Sequence, residues 1–160
     1  MEAGGTPVLV HNCDNVDRAE EIRRVIHDGS EDGGRPYKNQ TVAVVRADTG
    51  DGITSVVAAS GDGLTEAQVA ALREGEVAAL NDPEKHAETN ALQHIANQGW
   101  TAIDGGASRN VCPYCEYSIR EAEGQLTGPA SWKGRINCLL KGVERFNFRW
   151  GQRSFSFGKR

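Results

Sequence analysis

Two short motifs constrain this 160-residue chain more than any other feature: His86-Ala87-Glu88 and, after a gap of 23 residues, Cys112-Pro113-Tyr114-Cys115. The first opens the stretch KHAETNALQHIANQGW (85–100), where Ala87, Ala91, Leu92, Ile95 and Ala96 recur at helical spacing. Glu88 falls on the same apolar stripe. Burying a carboxylate is costly unless something there needs its charge, so the histidine just ahead of it has to be read with it.

The second motif opens CPYCEYSIREAEG (112–124), a helix with Pro113 in its first turn and Gly124 at its end. Cysteines three apart on a helix face the same side, and the unpaired N–H groups of a helix N-terminus favour thiolates. Thiolate and imidazole together suit Zn2+, and His86 is the nearest upstream imidazole. In a regular helix His86 and Glu88 would lie about 200° apart, so both can line one site only at an irregular first turn. His86, Cys112 and Cys115 would then hold one zinc and leave its fourth position to water, whose pKa falls from about 15.7 to about 7 on the metal. Glu88 is placed to move that water's proton rather than to hold the metal.

Cys13 and Cys138 stand alone, so the four cysteines make no disulfide framework. A redox role for C-x-x-C leaves His86 and Glu88 unexplained. The remaining rival is a non-catalytic, zinc-stabilised binding module in which His94 or Cys138 closes the metal, and neither sits at a recognisable ligand spacing.

The rest of the chain reads as one α/β domain with a small sheet. DNVDRAEEIRRVIHDG (14–29) predicts a helix that buries Val16, Ala19 and Ile22. TVAVVRA (41–47) and ITSVVAAS (53–60) are β-branched runs joined by a turn, which predicts a hairpin. Thr65 and Gln68 form a capping box for a helix over 65–80, weak at Gly75. Asp82 and Pro83 suit the start of the H-x-E helix, GASRNV (106–111) is strand-like, and further strands are expected near 135–140, 144–150 and 153–157. No run of 18 apolar residues is long enough to span a membrane, and no signal peptide is visible.

Charge is distributed unevenly. From Trp132 to Arg160 eight basic residues face one acid, so that tail is +7 and the first 131 residues carry −11. Trp132, Phe146, Phe148, Trp150, Phe155 and Phe157 interleave with those cations. A hairpin with aromatics inside and arginines in water explains the pattern, and so does a nucleic-acid footprint. The two are compatible.

HAE at 86–88 and CPYC at 112–115 resemble the signature of the zinc-dependent cytidine deaminase superfamily, H-x-E followed by P-C-x-x-C. The resemblance covers residues 14–157 and implies that superfamily's α/β fold: a mixed sheet of about five strands with helices packed on it and zinc at the N-termini of two helices. Two departures stand out. Val111 occupies the place of the signature proline, which here follows the cysteine, and the 65–80 helix is an addition. In lacking that proline the chain looks like several bacterial secreted deaminase toxins.

TPVLVHNC (6–13) in turn resembles the end of Hint-type autoprocessing domains, where His11 would polarise a peptide bond and Asn12 would cyclise and cut before Cys13. The resemblances divide the chain into a linker remnant (1–13) and a deaminase toxin domain (14–160). They imply a hydrolase that converts cytosine to uracil in nucleic acid, with single-stranded DNA favoured because the base must be unstacked. Duplex DNA, RNA and free cytidine are the alternative substrates. They further imply a secreted effector acting in the cytoplasm of a target bacterium, and a cognate immunity protein in the producing cell. Asn39 and Ser108 are pocket candidates by position, Arg145 and Arg149 candidates for phosphate contacts, and Trp150 for base stacking.

Overall fold

Residues 42–48 and 53–59 pair as the antiparallel hairpin their β-branched composition predicts, from Val42 opposite Ala59 to Asp48 opposite Ile53. They form the middle of a computed structural model that describes residues 13–25 and 39–134. The elements in chain order are α1 (Cys13–Arg23), β1 (Val42–Asp48), β2 (Ile53–Ala59), α2 (Glu66–Ala70), β3 (Glu76–Ala78), α3 (Ala87–Asn97), β4 (Thr101–Ala107), α4 (Pro113–Glu121), β5 (Gln125–Gly128) and β6 (Ser131–Lys133). His11, Asn12, Cys138, Arg145, Arg149 and Trp150, with the strands expected beyond residue 135, lie outside the described residues.

The strands form one mixed sheet in the order β3-β2-β1-β4-β6-β5, with β3 parallel to β2 and the other pairs antiparallel. β1 and β2 are apolar on both faces because both faces are covered. Ala43, Val45, Ala47, Val56 and Ala58 pack against Ala87, Ala91, Leu92 and Ile95 of α3 and Ile119 of α4. On the opposite face Val42, Val44, Val57 and Ala59 pack against Ala19 and Ile22 of α1. The result is three layers, with α3 and α4 on one side and α1 on the other, where Gln68 of α2 donates to Ile22 O at 3.2 Å.

Several expectations are corrected. The helix expected over 65–80 stops at Ala70, although its capping box is present. Gly75 turns with φ +81, and Glu76–Ala78 then joins the edge of the sheet beside β2. Tertiary pairing wins over the weak helical pattern, because Arg18 of α1 reaches Glu76 at 2.7 Å. α3 starts at Ala87 with His86 as its N-cap. Asp82 instead closes a turn before it, its Oδ1 accepting the Glu84 N–H at 3.0 Å.

The strand expected at 106–111 lies earlier, at Thr101–Ala107, and contains Gly105 and Gly106. Each of those glycines marks a close approach. A Cβ at Gly105 would lie 2.4 Å from the Trp132 ring, and one at Gly106 would lie 2.6 Å from the Val16 backbone of α1. Trp132, grouped in the sequence with the basic tail, is 2% exposed in the core. The described sheet therefore has six strands, and the β5–β6 hairpin has no clear sequence signal.

Candidate metal centre

The two motifs meet at one end of the sheet because α3 and α4 both begin there. His86 is the N-cap of α3, with extended backbone (φ −76, ψ 160) and no side-chain capping bond. Its ring is therefore outside the helical register, which removes the 200° conflict with Glu88. Cys112 is the N-cap of α4, Pro113 takes the first turn, and Cys115 follows within that turn. Proline is favourable here because its missing N–H would lack a helical partner anyway.

His86 Nδ1 lies 3.3 Å from Cys112 Sγ and 3.2 Å from Cys115 Sγ. All three ligand atoms fall within 4.8 Å of one another. Tetrahedral zinc with its usual bond lengths to nitrogen and sulfur holds such atoms about 3.6 Å apart. The donor set fits a thiophilic divalent cation. The Cys115 N–H also points at Cys112 Sγ, at 3.4 Å, as a donor to a thiolate should. Burial raises the Cys115 thiol well above its ordinary value, and the nearby Glu88 and Cys112 push in the same direction. A bound cation reverses that balance by stabilising the thiolate.

Glu88 is 3% exposed, and its Oε2 lies 3.4 Å from Cys115 Sγ. It borders the cluster in the first turn of α3, where the helix dipole favours a carboxylate. His94 takes no part in the cluster: its Nδ1 accepts the Leu80 N–H at 3.4 Å, and its ring meets Trp100 edge-on at 6.0 Å.

Val111, the departure from the proline of the signature, has a physical reason. Its N–H donates to Pro129 O at 2.8 Å, so the turn between β5 and β6 holds the approach to Cys112. Proline at 111 has no N–H to give. That contact joins residues distant in sequence and has no sequence signal.

Ser108 and Asn39 are not brought against the cluster by any described contact. The Ser108 hydroxyl accepts the Val42 N–H at 3.0 Å and ties the end of β4 to the start of β1. Asn39 is exposed, and its carbonyl accepts from Arg109 at 3.5 Å. It lines a cavity of about 360 Å³ with Gln40, Ser60, Asp62 and Thr65, whose wall includes none of the three ligand residues. Tyr114, which the sequence reading passed over, meets the His86 ring edge-on at 5.6 Å and remains 56% exposed. Its position between the two cysteines was the available signal.

Comparison with family models, curated proteins and solved structures returns no match. Among the described residues no helix is long and apolar enough to cross a membrane.

Proposed function

We propose that this chain is a zinc-dependent deaminase that hydrolyses cytosine to uracil in nucleic acid, single-stranded DNA foremost. The observation that carries the reading is the buried Glu88 carboxylate beside, and not within, the His86–Cys112–Cys115 group. A structural zinc site needs no such carboxylate, whereas hydrolysis needs a group that moves protons.

His86 Nδ1 and the Cys112 and Cys115 sulfurs would hold the metal. A zinc ion supplies Lewis acidity there and lowers the pKa of a water to about 7. Glu88 takes one proton from the attacking water and delivers it to the pyrimidine ring nitrogen N3 as the water oxygen bonds to C4. It then takes the remaining proton from that oxygen and passes it to the amino group, so the C4–N bond breaks, ammonia leaves and C4 becomes a carbonyl. The burial of Glu88 itself, 3% exposed, limits exchange of that proton with solvent.

The polynucleotide choice is supported by the +7 segment from Trp132 to Arg160 in an otherwise acidic chain. A free nucleoside needs no such field. Single strands are favoured because flipping a base from a duplex costs a few kcal/mol. The role as a toxin domain acting in a competing bacterium, held in check by an immunity protein in its producer, rests on the resemblance of HAE, CPYC and VHNC.

The decisive experiment incubates zinc-loaded protein with cytosine-containing DNA and RNA, single and double stranded, and with free cytidine. Sequencing for C-to-U changes and assaying uridine read the outcome. C-to-U conversion in single-stranded DNA above all others is expected. No conversion of any substrate overturns the enzymatic reading, and turnover of cytidine alone moves it to nucleosides.

A further inference from the structure

The loop that delivers His86 leaves β3 at Ala78 and reaches α3 at Ala87. Its last sheet-like bond is Ala79 N–H to Val57 O, at 2.8 Å. Beyond that, residues 81–86 are exposed or half-buried. Asp82 closes a turn within this stretch, accepting from the Glu84 and Lys85 N–H groups at 3.0 Å, and the helix that follows ties that turn to the fold. Asn90, on α3, is 2% exposed. Its Oδ1 accepts the Asp82 N–H at 3.2 Å. Its Nδ2 donates toward Asn81 Oδ1 at 3.2 Å, Asp82 O at 3.1 Å and Ala59 O at 3.4 Å, two hydrogens shared among three acceptors. Asn81 extends the tie, its Nδ2 donating to Gly61 O at 2.8 Å.

One carboxamide thus joins the loop, the end of β2 and the first turns of α3. The backbone N–H of the same residue donates to His86 O at 2.9 Å. The His86 side chain makes no capping bond, so the direction of its ring depends on how the loop enters the helix. Asn90 lies two residues from Glu88, about 200° around the helix. Glu88 faces the cluster while Asn90 faces the loop, and a change at Asn90 reaches the ligands only through the backbone.

We infer that Asn90 is a positioning residue for the metal centre, fastening the 81–86 loop so that His86 meets Cys112 and Cys115. The inference rests on the metal-centre reading above. Partners that orient a ligand without touching the metal typically change its affinity by about 10–100-fold when lost. A residue that only supports the fold lowers the melting temperature and leaves the affinity of the folded protein unchanged.

The test compares wild type, Asn90→Ala, Asn81→Ala and Arg18→Met. Zinc affinity is measured by chelator competition, and Co2+ absorption reports ligand geometry, at a temperature where the metal-free proteins are folded by circular dichroism. Asn90→Ala is expected to bind zinc about 10–100-fold more weakly, with shifted cobalt bands. Asn81→Ala, which cuts the arm to Gly61 and the bond from Asn90 Nδ2 but leaves Asn90 its bonds to Asp82 and Ala59, should weaken zinc in the same direction by less. Arg18→Met breaks a tie between α1 and β3 and should lose melting temperature with wild-type zinc affinity.

Wild-type affinity and cobalt bands in a destabilised Asn90→Ala overturn the inference and leave the metal centre intact. If Asn90→Ala does not fold, wild-type zinc affinity in Asn81→Ala overturns it equally. A wild-type protein that binds no zinc overturns both the inference and the metal-centre reading.

Discussion

Under the proposed function, Glu88 is where chemistry and metal holding come apart, since it borders the His86, Cys112 and Cys115 cluster without belonging to it. Replacing it by alanine should leave the zinc content at about one per chain, because the ligand atoms of His86, Cys112 and Cys115 are untouched. Deamination should fall by about 100-fold or more, the range that general acid–base groups contribute. The variant should melt no lower than wild type, since it no longer buries a carboxylate. Metal analysis, a C-to-U rate and a melting curve on the same preparation check all three. Turnover within a few-fold of wild type would show that another group moves the proton.

At the scale of elements, the contact between α1 and β3 carries a pH dependence. Arg18 and Glu76 meet at 2.7 Å with both side chains 9% exposed, and Arg18 also donates to Ala71 O at 2.9 Å. Burial pushes the Glu76 carboxyl upward, but hydrogen bonds from the Arg18 guanidinium and the Arg73 N–H, with the charge of both arginines, hold it below its ordinary value. A carboxyl depressed in the folded state stabilises above its unfolded value, about 4.3, and loses that stabilisation as pH falls through the folded value. Glu76→Gln should cost about 2 kcal/mol at neutral pH, in the range of a hydrogen bond to a charged group, because Arg18 keeps the Glu21 carboxylate at 3.0 Å. Its melting temperature should also fall less steeply than wild type between pH 5 and pH 3. Parallel acid curves for the two proteins would remove Glu76 from the acid response. The residual slope belongs partly to Glu20, whose hydrogen bond from Arg23, opposed by burial and helped by Arg24, brings it to about 2.

At the scale of the molecule, the opposed charges of the two segments bear on substrate size. Neutralising Arg145, Arg149 and Arg153 together should weaken binding of a single-stranded oligonucleotide. Each lost phosphate contact should reduce the slope of log K against log[salt] by about 0.7. Titrations at several salt concentrations measure this directly. Unchanged affinity and slope in a variant that still deaminates would point to the free nucleoside. Turnover of cytidine itself should be indifferent to these arginines.

The residues of the candidate metal cluster, and the carboxylate beside it, were legible in sequence because their identities and short spacings are local facts. His86, Glu88, Cys112 and Cys115 announce a site without any knowledge of the fold. The β1–β2 hairpin, the Thr65 capping box and Pro113 in the first turn of α4 were legible for the same reason: strand alternation, side-chain caps and proline's missing N–H act within a few residues. Only the tertiary structure brought His86 to Cys112 across 26 residues of chain. It alone decided that 76–78 would be a strand, that β4 would begin as early as Thr101 with Gly105 against Trp132, and that Trp132 would fill the core. It alone decided what Val111 and Asn90 do, since their partners are Pro129, the 81–82 loop and the end of β2. Such contacts depend on shapes and unpaired N–H groups meeting across the folded chain, and no local pattern encodes where those meetings occur.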